Sequence, residues 1–338
     1  MRAAYVRQLG TAEEIRVGSV AEPILNAGQV LVEIELTTVN PVDVLVRSGV
    51  FQTPLELPFV IGRDLVGTVA ALGPAAAGFA VGDRVWCNSL GHDGRQGAAA
   101  ERAAVATERL YRLPAGVDPV TAVASVHPAA TGYLALFTHG RLRPDETVLI
   151  GGAAGNVGSA MVVLAVQAGA RVIGTAHPRD FEYCRSLGVT EVFDYRDEQL
   201  SAQVIQGYPT GVDLYTDTFG VNDMSTAVGL LNRRGRIVVL AGPSSNSVLP
   251  VGLLYLKDCS VLGFVISHAN TDELAAAAKL INELLAAGRL RPRYIEIVPL
   301  DAAAQAHRRL EQGELRGRRL LLSTTNSRSA GGPDFDKN

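Results

Sequence analysis

Lysine is almost missing from this chain. Only Lys257, Lys279 and Lys337 occur in 338 residues. Schiff-base chemistry on a lysine amine therefore has few places to happen. Cysteine is equally scarce: Cys87, Cys184 and Cys259 stand far apart, with no CxxC pair. That argues against a disulfide scaffold and against a cysteine-rich zinc module. A strong excess of one charge is lacking too. The net charge of -3 speaks against a broad nucleic-acid footprint. The longest apolar stretch reads as Met161 to Ala168, too short to span a bilayer. The N-terminus enters a strand-like run directly, without the basic segment and long apolar run of a signal peptide. The expectation is a cytoplasmic protein with no membrane partner.

What is present is a globular composition, 47% hydrophobic and 19% charged. At roughly 150 residues per domain the length suggests about two domains. Residues 1–121 read as short β segments, with strands at Gln29–Leu36 and Leu65–Gly73 and a turn at Gly82–Val85. Residues 122–265 alternate strands and helices, which predicts a parallel sheet with crossover helices. Residues 266–323 open with a helix that Asn270 and Glu273 cap reciprocally. Leu274, Ala278, Ile281 and Leu285 follow at helical spacing, and Gly288 ends it. A last strand is expected at Arg318–Ser323. The tail, residues 324–338, reads as disordered.

The sharpest signal begins at Glu146. The run Thr147-Val148-Leu149-Ile150 leads into Gly151-Gly152-Ala153-Ala154-Gly155-Asn156-Val157-Gly158. A helix follows to Ala168, Gly169 stops it, and a second strand runs through Val172 to Thr175. This βαβ order turns a glycine-rich loop into a dinucleotide signature. Glycines let the backbone approach a pyrophosphate, and the helix N-terminus supplies N–H groups and a favourable dipole. Ala153 stands where the first glycine of the usual pattern would be. The second strand ends in Ala176-His177-Pro178-Arg179, with no acid to hold a ribose 2′-hydroxyl. Arg179 suits a 2′-phosphate. The expected cofactor is NADPH, with Tyr195 on the adenosine side.

Several ordered motifs now make a pattern: Asn40–Gly49, Pro58–Gly67, Gly78–Val85, Thr131–Leu136, Val172–Ala176 and Glu191–Arg196. Over residues 1–323 the chain resembles the zinc-free branch of the medium-chain dehydrogenase/reductase superfamily, the quinone oxidoreductases and their ζ-crystallin relatives. The resemblance implies an α/β fold. A GroES-like, β-rich catalytic domain would be built from both chain ends, and a Rossmann domain with a doubly wound parallel sheet would be inserted between them. It also implies a homodimer through the Rossmann sheet edges. The zinc-dependent branch carries a Cys, a Gly-His-Glu and a further ligand. Here those positions hold Asn40, Gly62-Arg63-Asp64 and His127, so no metal is expected.

By the same resemblance, His127 becomes a candidate proton donor, with Asn40 and Asp43 beside it as catalytic candidates. Phe51, Arg63 and Asp64 join His127 in the expected substrate pocket; Asp43 and Asp64 either bond there or pair with Arg47 and Arg63. The expected cofactor contacts are Asn40, Thr131, Gly152–Gly158, Ala176, Arg179, Tyr195, Ala241, Gly242, Phe264, Val265 and Ile266. His92 and His268 read as surface or loop histidines. Arg308, Arg309, Arg316, Arg318 and Arg319 read as a solvated face. The implied activity is NADPH-dependent reduction of a quinone or an α,β-unsaturated carbonyl. A pathway-specific enoyl reductase, an NADPH-binding protein without turnover and an RNA-binding crystallin-like protein stay open as alternatives.

Overall fold

A computed structural model describes residues 1–315 and 317–324. The expected tail beyond 324, and Arg316, lie outside the described residues. The strands, in chain order, are β1 (Arg2–Val6), β2 (Arg16–Ser19), β3 (Gln29–Thr38), β4 (Phe59–Val60), β5 (Leu65–Leu72), β6 (Arg84–Cys87), β7 (Arg102–Ala106), β8 (Tyr111–Arg112), β9 (Thr147–Gly151), β10 (Arg171–Ala176), β11 (Glu191–Asp194), β12 (Val212–Asp217), β13 (Leu231–Val239), β14 (Ser260–Gly263), β15 (Tyr294–Pro299) and β16 (Arg318–Ser323). The helices are α1 (Pro41–Ser48), α2 (Pro119–Tyr133), α3 (Asn156–Gln167), α4 (Phe181–Ser186), α5 (Leu200–Gly207), α6 (Met224–Leu230), α7 (Val251–Leu256), α8 (Thr271–Ala286) and α9 (Ala303–Glu311).

The chain divides into two compact units. Among the described residues, unit 1 takes both ends, residues 1–112, 295–315 and 320–324, and unit 2 takes residues 113–294 and 317–319. These borders differ from the ones read at 121 and 265. Helix α2 packs against α3 and α8, so both α2 and α8 belong to the middle unit. The change in sequence texture marked the last β segment and the last crossover, and neither is where the packing changes partner.

Unit 1 is a set of antiparallel strands. β3 alternates buried Val30, Val32, Ile34 and Leu36 with outward residues, as a one-sided strand must. It pairs with β5 and β7, and with the late strand β16. Gly67 is required in β5, because a Cβ there would sit 2.1 Å from the Glu33 carbonyl oxygen.

Unit 2 holds a six-stranded sheet ordered β11-β10-β9-β12-β13-β14. Every pairing is parallel. Counted from β9, this order is 3-2-1-4-5-6, the doubly wound arrangement. Its strands read as continuous apolar runs because both faces are covered; all five residues of β9 are buried. The order reverses between β9 and β12, which opens a crevice at their carboxyl ends.

The α8 cap forms as read: Asn270 Oδ1 accepts the Glu273 N–H at 2.9 Å, and a Glu273 carboxylate oxygen accepts the Asn270 N–H at 3.0 Å. Leu274, Ala278, Ile281 and Leu285 are all buried. One expectation needs correction. Residues Pro119–His139 form a 21-residue helical stretch long and apolar enough to cross a membrane, longer than the run at Met161. Its most apolar window is 78% buried inside the protein, as for a core helix.

Candidate functional site

The crevice of unit 2 is built from backbone. β9 ends in Gly151, and Gly152 turns the chain with φ +72°. The Gly152 N–H donates to Thr175 Oγ1 at 3.2 Å, and the Ala153 N–H to the Thr175 carbonyl at 2.9 Å. Ala153 is wholly buried. Its side chain fills the space over Gly174, where a Cβ would meet it at 2.7 Å. This explains the alanine at the first glycine position, and corrects its place among the expected contacts: Ala153 fixes the loop and presents neither its side chain nor its N–H. Gly158 packs α3 onto the loop so closely that a Cβ would lie 2.1 Å from the Gly152 oxygen.

No side chain caps α3. Its first N–H groups, at Asn156, Val157 and Gly158, thus face outward from a three-turn helix. A glycine cradle with an uncapped helix start fits a pyrophosphate. Thr218, after β12, donates to the Gly151 carbonyl at 2.8 Å and closes the other wall. Beside it, Gly220, Val221, Asp223 and Gly242–Ser247 line an open cavity of about 700 Å³. Asn222 ties its two loops by donating to the Ala241 carbonyl at 2.9 Å. Gly242 lines this cavity and Ala241 adjoins it; Thr218, Val221 and Asn222, which also stand here, were not singled out in the sequence. No glycine fingerprint extends to the loop after β12, so only the sheet order finds them.

At the ends of β10 and β11, Ala176 is buried and Arg179 is exposed, with a loose ion pair to Asp180 at 3.7 Å. Tyr195 is 55% exposed, under the Arg196 guanidinium. An acid does stand next to Ala176, from the neighbouring strand: the register pairs Ala176 with Asp194. Arg196 engages both Asp194 carboxylate oxygens, at 3.1 and 2.8 Å. That bonding holds the Asp194 carboxyl down at about 2. The Asp180 carboxylate is held by Arg293 at 2.6 Å. Neither acid is presented free, but the sequence reading saw neither neighbour.

Thr131 lies buried in α2 and donates to the His127 carbonyl at 3.0 Å. His127 is buried in the same helix, directly before Pro128. The Phe264 ring stacks on His139 at 4.6 Å, which commits the side chain and leaves the Phe264–Ile266 backbone as the part able to reach a ligand.

Unit 1 gathers side chains instead. Asn40 is the N-cap of α1, and the Asp43 carboxylate accepts its backbone N–H at 2.8 Å. Asn40 Nδ2 donates to Asp64 at 2.8 Å, Thr38 at 3.0 Å and Asp43 at 3.3 Å; the Thr38 hydroxyl also donates to Asp64. Asn40 and Asp43, expected as catalytic residues, thus lie in one buried hydrogen-bond cluster at the start of α1. Their hydrogen-bonding groups hold the helix start and each other. Arg47 bonds Glu311 and the Gly10 carbonyl.

Arg63 is 2% exposed, and its Nε and Nη2 atoms have no hydrogen-bond partner. Burial lowers its pKa, opposed by the nearby charges of Asp43 and Asp64. Phe51 stacks on His92 at 5.4 Å. His92 is a loop histidine, as read, but a buried one, stacked against the Phe51 ring; His268 is exposed. Arg319 is also buried, whereas Arg308 and Arg309 pair at the surface with Glu13 and Glu296. Burial raises all three cysteine thiols, Cys184 to about 11, so none is a thiolate at neutral pH. Among the described residues no group of three or more His, Cys, Asp or Glu is placed to hold a metal.

Two family models match the chain: an alcohol dehydrogenase GroES-like domain over residues 26–115, and a zinc-binding dehydrogenase domain over residues 156–283. A quinone oxidoreductase of Sus scrofa is 31% identical, over 91% of this chain and 93% of its own. Among solved structures, an NAD-dependent alcohol dehydrogenase aligns with TM-score 0.85 and 28% identity, over 96% of this chain and 100% of its own. A mycobacterial protein complexed with NADPH aligns with TM-score 0.83 and 25% identity, again over 96% and 100%.

Proposed function

The chain belongs to the quinone oxidoreductase family of medium-chain dehydrogenases/reductases and is an oxidoreductase; within that family we propose that it is a zinc-free, NADPH-dependent reductase of quinones or α,β-unsaturated carbonyls. The observation that carries the reading is the crevice of unit 2. It joins an uncapped α3, a glycine cradle and an exposed Arg179 and Tyr195 at the adenosine end. Asp194 and Asp180 are already bonded to arginines, so the ribose end is cationic on balance and favours a 2′-phosphate over a bare 2′-hydroxyl.

When bound, the cofactor supplies a hydride, and with a proton this reduces the acceptor by two electrons. The outward N–H groups of Asn156, Val157 and Gly158 would hold the pyrophosphate, over the glycine turn that begins at Gly152. Thr131 and the Phe264–Ile266 backbone orient the nicotinamide end. In this reading His127 serves as the proton donor to the reduced acceptor. An acceptor panel tests the reading: oxidation of NADPH by quinones or enones, with NADH much poorer, is expected. Tight NADPH binding with no oxidation by any acceptor would leave the chain a binding protein and sink the proposal.

A homodimer through β14 is part of the same proposal. This strand is one of the two edges of the sheet among the described residues, and Val251, Tyr255 and Leu256 of α7, just before it, are 63%, 79% and 77% exposed. Unpaired edges and apolar patches of this kind are ordinarily covered. Light scattering checks it: a dimer is expected for the native chain and a monomer for the Leu256→Asp, Tyr255→Glu double variant.

A further inference from the structure

A second pocket of unit 2 has no place in the hydride-transfer reading. It lies on the flank of α3, among α2, α4 and the turn that follows α8, and encloses about 30 Å³. A water-sized group needs roughly 10–15 Å³, so the space takes two or three of them. Much of its wall is apolar: Ala124, Ala160, Val163 and Leu290 line it and are buried. Arg289 and Arg291 also line it and are exposed, which sets them on its solvent side. Among the described residues no acid lines it. Arg289 donates one N–H to the Gln167 amide oxygen, and Arg291 donates its Nε–H to the Gly288 carbonyl at 2.7 Å. A guanidinium carries five N–H groups, so each arginine keeps donors for a further oxygen. Tyr183 adds a phenol, and burial raises its pKa, so it too stays a donor at neutral pH. Ser125 and Ser159 direct their hydroxyl protons to carbonyls of their own helices, at 2.7 and 3.3 Å. Recognition is thus left to the cations, the phenol and the apolar wall. That combination suits a ligand with a short hydrocarbon stem and an anionic head. A planar carboxylate matches the arginine fork, and two or three carbons fill the space behind it.

We propose that this pocket binds small aliphatic carboxylates, and that such a ligand weakens the hold of unit 2 on its cofactor. The link is α3. Asn156 lines the pocket, and its N–H is one of the three at the uncapped helix start. Arg289 and Arg291 add positive potential to that helix start, on top of the helix dipole. A carboxylate bound between them cancels one charge, so a pyrophosphate at the same helix start is held less tightly. Linkage makes the effect mutual: the cofactor weakens the carboxylate by the same factor. The coupling rests on the cofactor reading of the crevice, whereas the pocket itself stands without it.

Butyrate is the probe, titrated into the full chain by saturation-transfer NMR. It should bind with a Kd of about 1–10 mM. Butan-1-ol has the stem without the charge and should bind at least about tenfold more weakly. The Arg289→Gln, Arg291→Gln double variant should lose butyrate by a similar factor. Saturating butyrate should raise the NADPH Kd of the wild type about fivefold over sodium chloride of equal ionic strength, and leave that of the double variant unchanged. Butyrate that binds no better than butan-1-ol, or equally well to the double variant, would overturn the site. An NADPH Kd equal in butyrate and chloride would overturn the coupling. A chain that bound butyrate as expected but no NADPH would overturn the cofactor reading, and the coupling with it, and leave the pocket standing.

Discussion

The two units solve recognition in opposite ways. Unit 2 presents backbone: glycines at 152, 155 and 158, an uncapped helix and strand ends. Unit 1 presents side chains: Thr38, Asn40, Asp43, Arg63 and Asp64, all buried. A backbone site is insensitive to protonation and specific for a shape that many enzymes share, such as a pyrophosphate. A side-chain site is sensitive to pH and to single substitutions, and can be tuned to one acceptor.

Acid should break the comparison most visibly. His307 in unit 1 is buried, and burial together with the Arg47 charge lowers its pKa from 6.5 to about 3. The unfolded chain takes up that proton near pH 6.5 and the folded chain only near 3. The stability it contributes is therefore complete above pH 6.5 and lost as pH falls from 6.5 towards 3, at up to about 1.4 kcal/mol per pH unit. Urea midpoints should fall through this window in the wild type and change less in His307→Phe. Equal slopes would mean that another group governs acid unfolding.

The next largest effect belongs to Gly158→Ala. The added carbon meets the Gly152 oxygen at 2.1 Å, so helix or loop must move. Overpacking of this kind costs about 1–3 kcal/mol, or about 5- to 150-fold in NADPH Kd if it falls on the binding loop, by fluorescence titration. Smaller again is Arg179→Ala. Loss of an exposed charge-assisted contact should weaken NADPH about tenfold and NADH hardly at all, which sharpens the claim that this end reads the 2′-phosphate. The smallest is Asn40→Ala, a lost cap worth about 1 kcal/mol of stability by thermal unfolding, with NADPH binding intact.

Much of this was legible because local rules agree with the tertiary result. The loop Gly151–Gly158 and its flanking strands follow from glycine spacing and β-branched runs, and the α8 cap from Asn270 and Glu273. The misses share a cause: they depend on what packs alongside. Asp194 lies beside Ala176 only through strand register, and Thr218 reaches Gly151 only through the β9–β12 pairing. His92 lies buried against Phe51, which is distant in sequence. The unit borders shift for the same reason, since α2 and α8 pack against each other across a long stretch of sequence.

The division of labour between backbone and side chain is tested most directly by measuring NADPH Kd and single-turnover rate on the same preparations of Gly158→Ala and His127→Gln. The account predicts that the glycine variant loses affinity but reduces the acceptor normally once saturated, while the histidine variant binds normally and reduces it about 10²–10⁴-fold more slowly. Loss of the same parameter in both variants would contradict it.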